Sequence, residues 1–246
     1  MAARIRRTSR FPPTKWRGRT VALVASAAAV VTISGASGES IQATSPAAAA
    51  PATPATPAVP PAALLPPEAV PHTSARDGFD LGTALSTSDT ARRKESRIDV
   101  AGCEDVVHGR VLGATAGVTG QGFQSAVPGG QVSELVARTT NPPDLAAWSA
   151  QAGRCSQVTV DDAAGTAVST VTVQPAPAVP GAKTLSYRQL LTLPGQPPEL
   201  PGLRLRTVAI AADDVLVVLR DAGTTGLDLD ALAVAAWQHA AGPLGR

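Results

Sequence analysis

Residues 203–220 read LRLRTVAIAADDVLVVLR, and this stretch decides the fold. Leu203 to Ala211 and Val215 to Arg220 are two strand-like runs joined through an acidic turn at Asp213 and Asp214, the pattern of a hairpin. The run Val215, Leu216, Val217, Val218, Leu219 is apolar at every position, so a strand made from it is buried on both faces and lies inside a sheet rather than at its edge. Working backwards, Thr184 to Leu193 sets Leu185, Tyr187, Leu191 and Leu193 against Ser186, Arg188 and Thr192, the alternation of a strand with one buried face. Ser156 to Asp161 and Thr166 to Gln174 add two more strands around a turn at Asp162 to Gly165. Phe123 to Val127 and Val132 to Thr139 form another hairpin around Pro128-Gly129-Gly130. Three helices complete the reading. One spans Cys103 to Leu112, with Glu104 and Asp105 in its first turn. A second is capped by Asn141, has Pro142 at its first position and is closed by Gly153. A third runs from Asp228 to Ala241, with Leu229, Leu232, Ala233, Ala236, Trp237 and Ala240 along one stripe and Gly242-Pro243 as its stop. About seven antiparallel strands and three helices make an α+β domain, an antiparallel sheet flanked by helices.

The N-terminal third has a different composition. Seven basic residues (Arg4, Arg6, Arg7, Arg10, Lys15, Arg17, Arg19) precede the apolar run Val21 to Ile33, which gives way to Ser34, Gly35, Ala36, Ser37 and Gly38. This is the three-part layout of an export signal, with cleavage after Ala36 or later in Ala47 to Ala50. The apolar run has about a dozen residues against the roughly 20 of a comfortable membrane span, which favours cleavage over retention as a signal anchor. The Arg6-Arg7 pair is followed by Thr8, Ser9 and Arg10, a poor match to a twin-arginine signal, and no cysteine follows the run to accept a lipid. The organisation expected is an export signal or anchor over 1–38, an Ala/Pro-rich tether and polar lead-in over 39–83, and an extracytoplasmic α+β domain over 84–246. Ala43 to Pro71 reads as a polyproline-like tether that builds no core. Arg92, Arg93, Lys94 and Arg97 read as a solvated face.

The formal charge is +2, but the seven basic residues of the leader account for more than all of it, and the remainder of the chain is net negative. A nucleic-acid partner is therefore not expected, and contact with a membrane is expected only through the N-terminal segment. Two cysteines, Cys103 and Cys155, lie in the globular part. In an exported chain they pair most simply with each other, the alternative being two unrelated buried thiols. Closing that loop stabilises a fold by about 4 kcal/mol in the chain-entropy model. Aromatic residues make up only 3 % of the chain, so Val, Leu and Ala fill the core and a cross-link gains weight.

Little in the sequence carries reaction chemistry. Glu104, Asp105 and His108 share a helical face and could approach zinc, but no fourth ligand is identified, and acidic residues in a first helical turn account for two of the three. Asp161-Asp162 and Asp213-Asp214 sit at turns, where aspartate bonds its own backbone. His239 falls at a helix C-terminus, which favours a histidine, and His72 lies in the tether. Arg204 and Arg206 point the same way from one strand, with Arg188 on a neighbour. Three guanidinium groups so placed form a candidate anion contact, to be weighed against a solvent-facing sheet surface. No catalytic residue, metal site or cofactor is expected, and the chain is not read as an enzyme.

Taken in order, the lead-in Ala84-Leu85-Ser86-Thr87-Ser88-Asp89, the helix headed by Cys103, the helix ending in Cys155, the strand at Asp214-Val215-Leu216-Val217-Val218 and the terminal amphipathic helix form a recognisable layout. Over about residues 84 to 241 it resembles the small extracytoplasmic domains of actinobacterial lipoproteins and, more distantly, the external sensor domain of mycobacterial serine/threonine kinases. The chain departs from these in lacking a second cysteine pair, a lipid-attachment cysteine and a kinase portion. The resemblance implies a ligand-binding or sensing role outside the cytoplasm and supplies no catalytic residues. The reading is an exported, non-enzymatic ligand-binding or sensing module whose partner is a small molecule or an envelope protein. The alternative is a structural or interaction protein of the cell envelope that docks another protein.

Overall fold

The computed structural model describes residues 57–73, 76–81, 97–112, 117–162, 165–197 and 202–246. The export segment over 1–38, the start of the tether, the lead-in Ala84–Asp89 and Arg92, Arg93 and Lys94 lie outside these residues. Nine strands form one sheet: β1 (Arg76–Asp80), β2 (Arg97–Ile98), β3 (Val118–Val127), β4 (Gly130–Thr139), β5 (Gln157–Asp162), β6 (Gly165–Gln174), β7 (Lys183–Thr192), β8 (Leu203–Ala212) and β9 (Val215–Gly223). Their order is β1-β3-β4-β9-β8-β7-β6-β5-β2 and every pairing is antiparallel. The described helices are α1 (Glu104–Val107), α2 (Leu145–Arg154) and α3 (Leu229–Ala241).

The 203–220 stretch sits where its composition demands. Strands β8 and β9 lie inside the sheet, and Val208, Ala209, Ile210, Leu216 and Val217 are each 0 % exposed. Val208, Ile210, Val215, Val217 and Leu219 face one cluster with α3, while Ala209, Ala211 and Leu216 face a second cluster with α1 and α2. Asp213 closes the two-residue turn in the left-handed region (φ 52°), a conformation aspartate tolerates better than most residues. Ion pairs from Arg138 to Asp214 (3.2 Å) and from Arg246 to Asp213 (2.6 Å) tie that turn to β4 and to the C-terminus.

The flanking helices cover less of the sheet than expected. Helix α1 is a single turn, not the span from Cys103 to Leu112: it ends at Val107, and Gly109 just beyond adopts the left-handed φ of +64° that glycine takes without penalty, its carbonyl accepting from Arg220. Helix α2 begins after Asp144, whose carboxylate accepts the N–H groups of Ala146 and Ala147, both at 3.1 Å. Asn141 is not the cap; it is held in a turn with Thr139. Helix α3 starts at its expected cap, Asp228, which accepts the Ala231 N–H.

Much of the first face is covered by a segment that the sequence places in the tether. Residues 57–73 run over that face beside α3 as a strap with two 3₁₀ turns, Pro61–Ala63 and Pro67–Ala69. Val59, Ala63, Leu65 and Val70 are buried in the same cluster as Phe123, Val132 and Leu219. The reading of this segment as unable to build a core is corrected, and the strand β1 that follows it pairs with β3. The physical reason lies in proline itself. A proline-rich backbone has few N–H groups to satisfy and little conformational entropy left to lose, so a handful of apolar side chains suffices to dock it. Among the described residues, three hydrogen bonds fasten the strap to the rest of the fold: Leu65 N–H to Glu134, Thr119 Oγ1 to the Pro57 carbonyl at 2.8 Å, and His239 Nε2 with the Ala62 carbonyl at 3.0 Å. His239 thus serves the strap rather than the end of its own helix. Leu65→Ala is expected to lower stability by about 2–5 kcal/mol in denaturant melts, whereas truncation of a tether residue would cost nothing measurable.

Candidate functional site

On the second face, Cys103 caps the N-terminus of α1 and Cys155 the C-terminus of α2, and the two are joined by a disulfide with a Cα–Cα distance of 5.7 Å. Both are buried. The bridge pins two short helices that have little packing of their own. Trp148 on α2 completes the frame. Its ring lies 4.4 Å from that of Tyr187 on β7, and its Nε1–H donates to the Arg110 carbonyl at 3.1 Å. A single side chain therefore fixes α2 to the sheet and to the turn after α1. Gln151 donates to the Gly102 carbonyl and closes the other end.

Between these pieces lies a cleft of about 360 Å³ bounded by α1, residues 110–112, the Asn141–Asp144 loop and α2. One wall is apolar, from Val106, Val111 and Pro142-Pro143, and Asp105, Arg110, Asn141, Asp144 and Gln151 bring polar groups to it. Arg110 Nε donates to Asp105 Oδ1 at 2.8 Å, so a paired cation and anion stand at the cleft. The Asp144 carboxyl is held below the usual carboxylate range, first by the Ala147 N–H. Both acids are thereby committed, one to a guanidinium and the other to a helix cap, and the cleft offers hydrogen bonds and apolar surface to a small molecule. Among the described residues no grouping of three His, Cys, Asp or Glu side chains suits a metal ion, and Asp105, from the Glu104–Asp105–His108 trio, is paired with Arg110.

The arginine triad is brought together. Arg206 is directly opposite Arg188 across β8 and β7, and Arg204 is on the same face two residues along. Arg206 forms an ion pair with Asp230 in the first turn of α3 and stands opposite Asp221 on β9. These carboxylates offset most of the local charge, and Arg188 and Arg204 point into solvent.

A residue the sequence reading passed over is the most unusual ionisable group on the first face. Glu134 lies between Val132 and Val136 on β4 and is 1 % exposed. Its two oxygens accept the Leu65 N–H at 3.0 and 3.2 Å. Burial pushes its carboxyl up to about 7, against the opposing pull of the Leu65 N–H and of Arg76. Arg76 stacks on Phe123 at 3.6 Å, and burial lowers its own pKa. The signal was present in the sequence, as a carboxylate in phase with two core valines on a period-two strand.

Comparison of the chain with protein families and with curated proteins returned no match. Solved structures did. An uncharacterized protein of Mycobacterium smegmatis aligns with a TM-score of 0.44 and 16% identity, over 68% of this chain and 85% of that one. The extracellular domain of PknH from Mycobacterium tuberculosis aligns with a TM-score of 0.41 and 16% identity, over 61% of this chain and 78% of that one. No described helix is long and apolar enough to cross a membrane.

Trp148→Ala is expected to cost about 3–5 kcal/mol in denaturant melts, because it removes a buried ring and a hydrogen bond together. Tyr187→Phe, which deletes a buried hydroxyl that has no hydrogen-bond partner, should change stability by less than about 1 kcal/mol.

Proposed function

We propose that the domain is an exported, non-enzymatic binding or sensing module, and that a small molecule occupies the cleft between α1 and α2. The supporting observation is the construction of the cleft. A disulfide, a helix cap and the Trp148–Tyr187 contact hold its walls, so binding costs little reorganisation. Its mixed lining, in which Arg110 and Asp105 already neutralise each other, fits a ligand with an apolar body and a few uncharged hydrogen-bonding groups. The domain works outside the cytoplasm, secreted or anchored at the outer face of the membrane, where the disulfide persists.

The test is a screen of small molecules by thermal shift, followed by titration against tryptophan fluorescence, since Trp148 lines the cleft. A saturable ligand is expected to raise the melting temperature and to perturb Trp148. Ala147, exposed on α2 and lining the cleft, is the place to block it. Ala147→Trp should abolish both responses while leaving the melting temperature of the empty protein unchanged. A ligand whose binding survives Ala147→Trp would move the site elsewhere. If no ligand is found and a protein partner is recovered by crosslinking at the envelope, the domain is a docking module instead.

A further inference from the structure

The strap lies on the face opposite the cleft. One of the hydrogen bonds that fasten it, from Leu65, reaches a carboxylate that the strap itself covers. Leu65, itself 2 % exposed, closes over Glu134, and Ala63 and Val70 are buried in the same cluster. An ionised carboxylate there has one backbone N–H for its two oxygens, a thin replacement for water. A protonated one leaves an oxygen free to accept from Leu65 and carries no charge to desolvate. The charged group that acts on Glu134 is Arg76 from β1, which favours ionisation, and that arginine is itself shared with Glu68 from the second 3₁₀ turn. The residues paired with it in the sheet, Phe123 on β3 and Leu219 on β9, are neutral. From α3, His239 meets the strap at Ala62.

We propose that residues 57–73 are a detachable strap whose docking is set by protonation of Glu134, docked when the carboxyl is neutral and loosened when it is ionised. Undocking rehydrates Glu134, opens the apolar groove between α3 and β4, and adds the strap's length to whatever chain precedes it. The direction follows from the raised pKa. The docked state holds a proton up to about pH 7 that the undocked state gives up near its ordinary value of 4.5. Docking is therefore strongest below the lower value, weakens as pH rises between the two, and levels off above about 7.

The test is amide hydrogen exchange on the full chain, with intrinsic rates divided out, reading Ala63, Leu65, Ala69 and Val70 across pH 5 to 8. In the wild type their protection is expected to fall by up to about tenfold per pH unit toward 7 and then to flatten, while amides of β8 and β9 hold steady. Glu134→Gln keeps an acceptor for the Leu65 N–H and cannot ionise, so strap protection should stay high and lose its pH dependence. Arg76→Gln removes the cation that favours ionisation and should move the wild-type transition to higher pH. Strap protection that is flat in the wild type overturns the proposal. So does a pH dependence that persists in Glu134→Gln, or strap exchange that rises only in step with that of the central strands.

Discussion

Strands β8 and β9 bury side chains on both of their faces, and a sheet that is apolar on both sides needs two coverings. The peripheral elements answer that demand. Where the interior positions are Val, Ile and Leu, on the first face, the cover is the thirteen-residue helix α3 together with the strap. On the second face the cover is the two short helices, which pack over β6 and β7, with Ala209 and Ala211 of β8 in the same cluster. Each cover meets a different shortage. The strap has no regular helix to satisfy its backbone, and proline reduces the number of donors that need partners. Helices α1 and α2 have too few residues to be stable alone, and the disulfide and Trp148 supply the missing constraint.

The candidate cleft arises from that second shortage. A single-turn helix that ends before Gly109 leaves Arg110 to Leu112 outside regular structure, and α2, starting only after Pro142-Pro143, leaves a gap at its N-terminal end. The space between them is what remains when two short elements are pinned at one end by Cys103–Cys155 and held apart at the other. The proposed ligand would sit at this seam between covers, whose rigidity comes from one covalent bond and one aromatic contact. The cleft and the disulfide are thus parts of the same solution to a small, aromatic-poor core.

How much of this could be read from the sequence depended on the kind of signal. Period-two alternation gave β7 to within one residue at each end, and a stripe ending at Gly242-Pro243 gave α3, because burial on one face leaves a regular trace; the run apolar at every position placed β9 inside the sheet but stopped it at Arg220, three residues short of Gly223. The two cysteines pair with each other as expected in an exported chain. The limits of α1 and α2 were misplaced because capping depends on local contacts: Asn141 is held in a turn by Thr139, and Gly109 is crowded by a guanidinium from 111 residues away. The strap was illegible for a deeper reason. Pro-Ala-Val-Pro-Pro-Ala-Ala-Leu-Leu-Pro-Pro has the composition of a tether, and nothing in its own periodicity reveals that a hydrophobic face elsewhere is waiting for it. The cleft, assembled from α1, a loop and α2, was equally out of reach of any single segment.

Glu134 and Arg206 show how the same physics gives different results at two charged positions of one sheet face. Both occur in phase with buried valines, Glu134 beside Val132 and Val136 and Arg206 beside Val208. Arg206 meets a carboxylate from α3 and keeps part of its surface in water, so its charge is matched. Glu134 is sealed beneath the strap, and its cation, Arg76, is drawn onto the Phe123 ring. A buried acid with an imperfect counter-charge raises its pKa until neutrality is the cheaper state. Of the two charged side chains, only Glu134 therefore links its protonation to the docking of a chain segment. That link exists because, of the hydrogen bonds that hold the strap, the one at Leu65 ends on a carboxyl that the strap itself covers. His239 meets the strap at Ala62 through a second ionisable ring, and of the two groups Glu134 is the buried one.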